Sequence, residues 1–321
     1  MQKIKDRVFL VGVFWGKISR EHYNESLEEL YRLAKTAEVE VVDSFVQSLK
    51  KPDTATYIGK GKLQEIKNTA ENMKVRTIIF NNKLSPSQSR NISDITGCNV
   101  VDRTELILDI FAKHARTRQA KLQVELAQLE YAYTKLKRMW KHLSRIQGGI
   151  GFRGPGETQI EVDRRLIRKR TSILKKKLKT IESISITKRK RRKDIISIAL
   201  VGYTNAGKST LFNRLTKENR YTANQLFATL DSKTRSLHID QSEMMMITDT
   251  IGFIRQLPHK LVTSFHSTLL EVIEADLLLH VVEVSRTNIL ELMDSVSSVL
   301  EEIGAADKNI LVVFNKTDLV G

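Results

Sequence analysis

The sequence predicts an α/β protein made of three segments, and three observations support this fold class. Apolar strands alternate with amphipathic helices over residues 1–103, which indicates a small N-terminal α/β domain. A heptad pattern over residues 104–144, which lack proline and glycine, is followed by a second helical run. Together they predict a long antiparallel helical hairpin over residues 104–193. Over residues 194–321, a buried strand, a glycine-rich loop and a helix indicate a second α/β domain with a mostly parallel sheet.

The N-terminal domain begins with the strand RVFLVGVFW and the helix NESLEELYRLAKTA, whose leucines recur every three or four residues. The runs EVEVVDSFVQ, VRTIIFNN and CNVVD predict further strands of a parallel sheet. Ser85, Pro86 and Gln88 are typical of a helix start, with a capping hydroxyl, a proline in the first turn and a capping-box glutamine. The stretch TYIGKGK is interpreted as a structural strand-to-helix turn, because a lone GxG is weak support for a second phosphate loop.

The middle segment is predicted to form one helix over residues 104–144, followed by a second helix over residues 161–187 that folds back against it. Between them, residues 148–157 hold five of the fifteen glycines and one proline, so a non-helical loop is expected. This tip loop either makes contacts of its own through Phe152 and Arg153 or is a plain turn. The heptad seam of the first helix is formed by Leu122, Leu126, Leu129, Tyr133, Leu136, Trp140 and Leu143.

Positive charge is concentrated in the same segment. Residues 113–193 hold 25 Lys and Arg against 6 Asp and Glu, a net charge of +19. The rest of the chain has a net charge of −3, which gives the formal total of +16. The positive charges within runs such as LKKKLK and TKRKRRK repel one another unless a polyanion neutralises them. The charge pattern favours RNA or DNA as a partner, while a solvated stalk or an acidic protein partner stays open.

Composition also bears on the compartment. The single cysteine, Cys98, excludes an internal disulfide, and the N-terminus resembles neither a signal peptide nor a transit peptide. Apolar runs such as LLLHVVEV are far shorter than the roughly 18 residues that a membrane span needs. We therefore expect a cytoplasmic protein without a membrane span, with peripheral membrane association left open.

The strongest motif is GYTNAGKS, which follows the buried strand IISIALV and precedes the helix KSTLFNRLT. Strand, GxxxxGK[ST] and helix form the context of a phosphate-binding loop. Backbone N–H groups and the positive end of the helix face the phosphates, Lys208 reaches the β- and γ-phosphate oxygens, and the Ser209 hydroxyl binds Mg²⁺. The nucleotide-binding residues predicted here are Gly202, Asn205, Ala206, Gly207, Lys208, Ser209 and Thr210.

Two later motifs extend this site. In DTIG, Asp249 at a strand end is expected to hold the water shell of the metal, and the Gly252 N–H to meet a γ-phosphate. In NKTD, Asn315, Lys316 and Asp318 follow another buried strand, and a carboxylate there accepts from both N1–H and N2–H₂ of guanine. The expected ligands are therefore Mg²⁺ with GTP or GDP.

With GYTNAGKS, DTIG and NKTD in series, residues 195–321 resemble a translation-factor-class GTPase domain. The flanking stretches GGIGFRGPGETQIEVDRR, LFATLD and DTIGFIRQLPH make the whole chain similar to the HflX family of ribosome-associated GTPases. The resemblance implies an N-terminal α/β domain, a helical hairpin and a P-loop GTPase domain. It also implies a partner, the large (50S) ribosomal subunit with its ribosomal RNA, and a role in splitting or rescuing stalled ribosomes by a monomeric protein.

The resemblance further assigns roles to the two segments that respond to the γ-phosphate. Thr229 in FATLD corresponds to the switch threonine that binds Mg²⁺ and senses the γ-phosphate, and Phe227 is counted with the nucleotide-binding residues. Residues 249–253 would open the second switch. Lys208, Thr229 and Gly252 are thereby the expected catalytic residues, and Ser209 and Thr229 the expected metal ligands.

Two features depart from the usual GTPase pattern. Phe253 stands where Ras-type enzymes carry the glutamine that orients the attacking water, so slow intrinsic hydrolysis with stimulation by 50S subunits is expected. The chain also stops soon after NKTD, so we expect a GTPase domain that lacks its last elements, either as a fragment or as a truncated member. Nucleotide affinity and hydrolysis by this chain are open at this point.

Two further functions remain as alternatives on the sequence alone. One is a non-catalytic RNA- or ribosome-binding protein with a vestigial GTPase domain. The other is a nucleotide-driven RNA remodeller that acts off the ribosome and uses ATP through its N-terminal domain.

Overall fold

The computed structural model describes the chain outside residues 1–5, 17–19, 147–154, 191–194, 218–225, 228–229, 239–243, 256–265 and 321. The chain divides into two compact units. The first comprises Met1–Ile110 with Gln128–Thr171, and the second comprises Phe111–Ala127 with Ser172–Gly321. Among the helices of the described part, none combines the length and the apolar character that crossing a membrane requires.

The first unit contains a four-stranded parallel sheet in the order β2-β1-β3-β4. The central strand β1 is buried almost throughout, as its continuous apolar sequence predicts for a sheet covered on both faces. The predicted α/β fold of this part is thus confirmed. Its elements are β1 (Arg7–Trp15), α1 (Arg20–Thr36), β2 (Glu40–Leu49), α2 (Lys60–Met73), β3 (Thr77–Phe80), α3 (Pro86–Thr96) and β4 (Asn99–Asp102).

Helix α3 begins where the sequence predicts. The Ser85 hydroxyl accepts from the Gln88 N–H at 3.2 Å, and the Gln88 side chain accepts from the Ser85 N–H at 2.9 Å. Pro86 occupies the first turn, where its missing N–H costs nothing. The TYIGKGK stretch leads into α2, and there the Gly59 N–H donates to the Gln47 side chain at 2.8 Å, which fits the structural interpretation of this turn.

The prediction of one uninterrupted helix over residues 104–144 is wrong. The structure has α4 (Arg103–His114) and α5 (Arg118–Ile146), separated at residues 115–117. The break has a local cause, because the Thr117 hydroxyl accepts from the Ala120 N–H at 3.1 Å and so caps a new helix start. An apolar heptad pattern gives no information about such a cap.

The tip loop is also shorter than predicted. Helix α6 runs from Pro155 to Lys190, so the last three residues of the predicted loop 148–157 are helical. Proline at the start of a helix explains this, because its fixed φ fits the first turn. The remaining predicted loop residues, including Phe152 and Arg153, lie outside the described part of the chain. Helices α5 and α6 contact each other where the Arg168 guanidinium donates to the Tyr133 hydroxyl at 2.7 and 3.0 Å.

A fully buried carboxylate holds the part of α5 that belongs to the first unit, which begins at Gln128. Asp102, at the end of β4, is 0% exposed and forms a reciprocal capping box with Glu105 at the start of α4. Its other oxygen accepts from the Tyr131 hydroxyl on α5, and Lys135 on the same helix pairs with Glu105 at 2.6 Å. Burial and the charge of Asp102 raise the pKa of Tyr131, so the phenol keeps the proton that it donates.

The second unit contains a five-stranded sheet in the order β6-β7-β5-β8-β9, in which only β6 runs antiparallel to its neighbour. The prediction of a mostly parallel sheet is confirmed. The carboxyl ends of β5, β7, β8 and β9 therefore meet at one edge. The prediction that the strand before NKTD is buried is wrong, because this strand, Asn309–Asn315, lies at the edge of the sheet and five of its seven residues are exposed. The elements are β5 (Ser197–Val201), α7 (Lys208–Thr216), β6 (Lys233–His238), β7 (Met244–Asp249), α8 (His266–Ile273), β8 (Leu277–Glu283), α9 (Ile289–Glu302), β9 (Asn309–Asn315) and a 3₁₀ turn (Thr317–Leu319).

The buried carboxylate yields a stability prediction. Tyr131→Phe removes a donor to a carboxylate that has no access to water, so we expect the free energy of unfolding to fall by about 1–3 kcal/mol. Urea unfolding of the two proteins measures the difference. Tyr133→Phe is the matched control on the same helix, because its hydroxyl pairs with an exposed arginine. Equal losses for the two variants would contradict the role given to Asp102.

Candidate functional site

The phosphate loop, residues 202–209, connects β5 to α7 as predicted. Asn205 and Gly207 both have left-handed backbone, with φ of 65° and 96°. A Cβ at Gly207 would lie 2.1 Å from the Asn315 Nδ2, so only glycine fits there. Gly207 has no side chain with which to cap α7, so the loop places backbone alone at the positive end of that helix, the kind of end that attracts an anion.

Lys208 carries a buried positive charge of the site. Its side chain turns back over the loop, and its Nζ donates to the carbonyls of Gly202 and Tyr203 at 3.0 and 2.9 Å. Burial lowers the pKa of Lys208 to about 8, and the nearby charge of Asp249 opposes that shift only in part. The ammonium therefore sits where an incoming phosphate would stabilise its charge.

Ser209 and Asp249 form the candidate metal-binding pair. Asp249 ends β7, which lies beside β5, and its Oδ2 accepts from the Ser209 hydroxyl at 2.6 Å. Both groups offer hard oxygen atoms, the donors that Mg²⁺ prefers. The described part of the predicted site thus fits the ion. Thr229, the other predicted ligand, lies outside the described residues.

Gly252 brings the DTIG segment against the phosphate loop. A Cβ at this position would stand 2.8 Å from the Thr204 Cα and 3.1 Å from the Lys208 Nζ, so the close approach requires glycine. The next residue, Phe253, donates its N–H to the Gly202 carbonyl at 3.1 Å and accepts from the Thr204 N–H at 2.7 Å. Its ring is 2% exposed, so it faces the interior and cannot orient a water molecule.

The NKTD segment approaches the same loop from the other side. The Asn315 amide donates to the Ala206 carbonyl at 2.8 Å, which ties β9 to the phosphate loop. Lys316 has left-handed backbone, and its Nζ donates to Glu283 at 2.8 Å. Asp318 lies exposed in the 3₁₀ turn that follows, which leaves its carboxylate accessible to a base.

Phe227 and Thr210, two further residues predicted to bind the nucleotide, differ in their contacts and burial. The Phe227 N–H donates to the Thr204 hydroxyl at 3.1 Å, while its ring packs edge-to-face on Phe111 at 4.6 Å. Its backbone, not its ring, is therefore near the phosphate loop. Thr210 lies exposed in the first turn of α7. Direct contact of either residue with a nucleotide stays a prediction.

Sequence reasoning missed several residues that organise this region. Asp231 accepts from the N–H groups of Arg116 and Thr117 at 3.1 and 3.2 Å and from the Thr117 hydroxyl at 2.5 Å, so it reinforces the start of α5. Glu283 holds Lys316 and Arg286. The Tyr203 hydroxyl accepts from a backbone N–H near DTIG. No local motif marks these residues, because their partners are between 33 and 115 residues away along the chain, apart from the Arg286 pair.

Helix α6 presents the candidate nucleic-acid surface. Among the α6 side chains that the structure describes, eight basic ones are exposed, and Glu182 is the acidic residue nearest the last of them in sequence. The surface, called the α6 basic surface below, consists of Arg165, Arg168, Lys169, Arg170, Lys175, Lys176, Lys177 and Lys179.

Three family models match consecutive parts of the chain. The model described as GTP-binding GTPase N-terminal matches residues 24–112, and the one described as GTP-binding GTPase Middle Region matches residues 114–192. The model described as 50S ribosome-binding GTPase matches residues 197–316. The predicted boundaries at residues 103 and 193 stay predictions, because the two compact units divide the chain differently.

Curated relatives and solved structures agree with these matches. The GTPase HflX of Flavobacterium psychrophilum is 47% identical over 313 residues, which cover 98% of this chain and 76% of the relative. The GTPase HflX of Escherichia coli is 46% identical over 298 residues, covering 92% and 70%. The crystal structure of SsGBP in complex with GDP has 31% identity and a TM-score of 0.54, and the match covers 98% of this chain and 84% of that one.

The buried ammonium predicts a pH-dependent stability. Because the pKa of Lys208 is about 8 when folded and 10.5 otherwise, the unfolded state binds more protons between these values, and wild-type stability rises with pH there. Lys208→Met carries no titrating group at this position, so the stability of wild type relative to the variant should rise by about 3 kcal/mol between pH 8 and pH 10.5.

Urea unfolding of the nucleotide-free proteins at pH 7, 8.5 and 10 measures this difference. Taking wild type minus variant removes the titration of other lysines and tyrosines. A difference independent of pH would contradict the burial of a charged ammonium at this position.

Proposed function

The chain belongs to the HflX family of GTPases, and from this premise we propose a Mg²⁺-dependent GTP hydrolase that docks on the large ribosomal subunit under nucleotide control. We further propose that it splits or rescues stalled ribosomes in the cytoplasm. The α6 basic surface and the loop that precedes α6 would face ribosomal RNA.

One observation supports this proposal most directly: three separate motifs meet at one edge of the second sheet. Asp249 contacts Ser209 at 2.6 Å, and Asn315 contacts the Ala206 carbonyl at 2.8 Å. Gly252 packs directly against the phosphate loop. The segments proposed to anchor phosphate, to bind the metal and to read the base thus all contact the phosphate loop, which supports a site for a purine nucleotide with its metal.

The residues would act as follows. Lys208 would leave its two backbone carbonyls and neutralise the β- and γ-phosphate oxygens. Ser209 and Thr229 would hold Mg²⁺, which neutralises charge that develops on the phosphates. The Gly252 N–H would bind the γ-phosphate, and Asp318 would select guanine through its two N–H groups.

Two comparisons support the nucleotide and the partner. The SsGBP structure was solved with GDP, and a second structure from Sulfolobus solfataricus, 30% identical with a TM-score of 0.50, is likewise a complex with GDP. The family model that matches the second unit is described as a 50S ribosome-binding GTPase. A basic surface on α6 suits such an RNA-rich partner.

Hydrolysis should depend on the ribosome. Because the Phe253 ring is buried, the attacking water must be oriented by another group, and we expect the GTPase rate to rise at least tenfold on addition of 50S subunits. Phosphate release with and without the subunits measures this. Lys208→Ala should abolish both the basal and the stimulated rate.

The Lys208→Ala variant also separates the proposal from its rival, a non-catalytic ribosome-binding protein. Equal splitting of ribosomes by wild type and Lys208→Ala would favour the rival. Turnover that 50S subunits leave unchanged would instead contradict the inferred role of the ribosome in hydrolysis.

The α6 basic surface gives a further prediction. A variant with Lys175, Lys176 and Lys177 changed to Gln should bind 50S subunits at least tenfold more weakly, with a salt slope reduced by about 2 to 3. The control changes three exposed lysines of the first unit, Lys35, Lys50 and Lys74, to Gln. Sedimentation of both variants with 50S subunits at several salt concentrations measures the effect. Equal binding by the two variants would rule out this surface.

A further inference from the structure

Glu283 lies where three strand ends of the nucleotide site meet. It is the last residue of β8, which runs between the phosphate-loop strand β5 and the NKTD strand β9. In the sheet register it stands opposite Asn315, and the next N–H, that of Val284, donates to the Asn315 carbonyl at 3.1 Å. Glu283 is thus adjacent to the base-reading segment without belonging to any of its motifs.

Both carboxylate oxygens of Glu283 bind cations. Oε1 accepts from the Lys316 Nζ at 2.8 Å, and Oε2 accepts from the Arg286 Nε at 2.7 Å. The Glu283 side chain is 12% exposed and that of Lys316 is 25% exposed, so water screens this pair less than a surface pair. Burial alone would raise the pKa of Glu283, but the hydrogen bonds from Lys316 and Arg286 lower it overall, which keeps the carboxylate ionised at neutral pH.

Lys316 in turn begins the turn that carries Asp318. Its backbone has a left-handed φ of 61°, and its carbonyl accepts from the Leu319 N–H at 3.1 Å, which closes the 3₁₀ turn. The side chain of Asn315, directly before it, is fixed on the phosphate loop. Lys316 is therefore held at its backbone by the turn and at its ammonium by Glu283, and Asp318 lies two residues further along.

We propose that Glu283 is a positioning residue of the guanine site, which holds Lys316 and through it orients the turn that presents Asp318 to the base. This inference rests on the proposed function, because it assumes that guanine nucleotides bind here. Glu283 binds Lys316 and Arg286 and is not among the residues assigned to the phosphates or to Mg²⁺. Its effect should appear in the choice of base, not in the chemistry of hydrolysis.

The test compares binding of GDP and IDP, since hypoxanthine lacks the N2 amino group that a well-placed Asp318 recognises. Glu283→Gln keeps the size of the side chain but removes its charge. We expect GDP binding to weaken about tenfold, because a charge-assisted contact is lost. IDP binding should weaken less, so that the preference for GDP over IDP falls at least threefold. Displacement of mant-GDP by each nucleotide measures both affinities.

Two further variants test whether the change in base preference comes from the charge and position of Glu283. Glu283→Asp keeps the charge on a shorter side chain, and its GDP-to-IDP preference should lie between those of wild type and Glu283→Gln. Glu28→Gln removes a carboxylate from an exposed pair with Arg32 in the first unit and should change neither affinity. If Glu283→Gln does not fold, the preference of Glu283→Asp decides: a value below wild type supports the inference, and an unchanged value overturns it.

The outcomes separate this inference from the function on which it rests. An equal loss of GDP and IDP affinity in Glu283→Gln would show a general structural role and overturn the positioning role. Unchanged affinities in a folded variant would overturn it as well. If the wild-type chain bound no guanine nucleotide, the proposed function would fail first, and the inference with it.

Discussion

In the second unit, the shape of the phosphate loop is coupled to one buried ammonium and to the backbone carbonyls that surround it. A charge removed from water is costly unless hydrogen bonds compensate, and Lys208 finds this compensation only if the phosphate loop curls so that the Gly202 and Tyr203 carbonyls point at it. The Gly202 carbonyl also accepts from the Phe253 N–H, which joins the DTIG segment to the loop. Loop shape, lysine position and the approach of DTIG therefore depend on one another.

This arrangement has a consequence for ligand binding. Two neutral carbonyls compensate the ammonium only partly, and the lowered pKa of Lys208 records that deficit. A phosphate oxygen carries a full negative charge and would compensate it better. A phosphate in the loop would therefore replace two neutral carbonyls by a charged partner, which is the physical basis of the proposed anion site.

The sequence predicted those parts of the fold and site that local spacing determines. The phosphate loop, the Ser85 cap and the parallel sheets all follow from neighbouring residues, and each has the predicted form. The break between α4 and α5 was missed because an apolar heptad pattern does not reveal the local Thr117 cap, and the Asp231 carboxylate that reinforces this cap lies 114 residues away. Glu283 was missed because its role depends on a pairing with Lys316, 33 residues away, that only the folded sheet brings together. Contacts of this kind carry no periodicity, so pattern reasoning cannot recover them.

The distribution of charge separates residues that build the fold from residues left over for a partner. In the first unit, Lys135 satisfies Glu105 and Tyr131 satisfies Asp102, so these polar groups are consumed by internal contacts. The α6 basic surface is different, because its cations are exposed and outnumber the acidic residues of the same helix. Such a row destabilises an isolated helix through like-charge repulsion. A polyanion would remove that repulsion and would release its own counterions, so the least favourable feature of the free chain would become a favourable one on the proposed RNA partner.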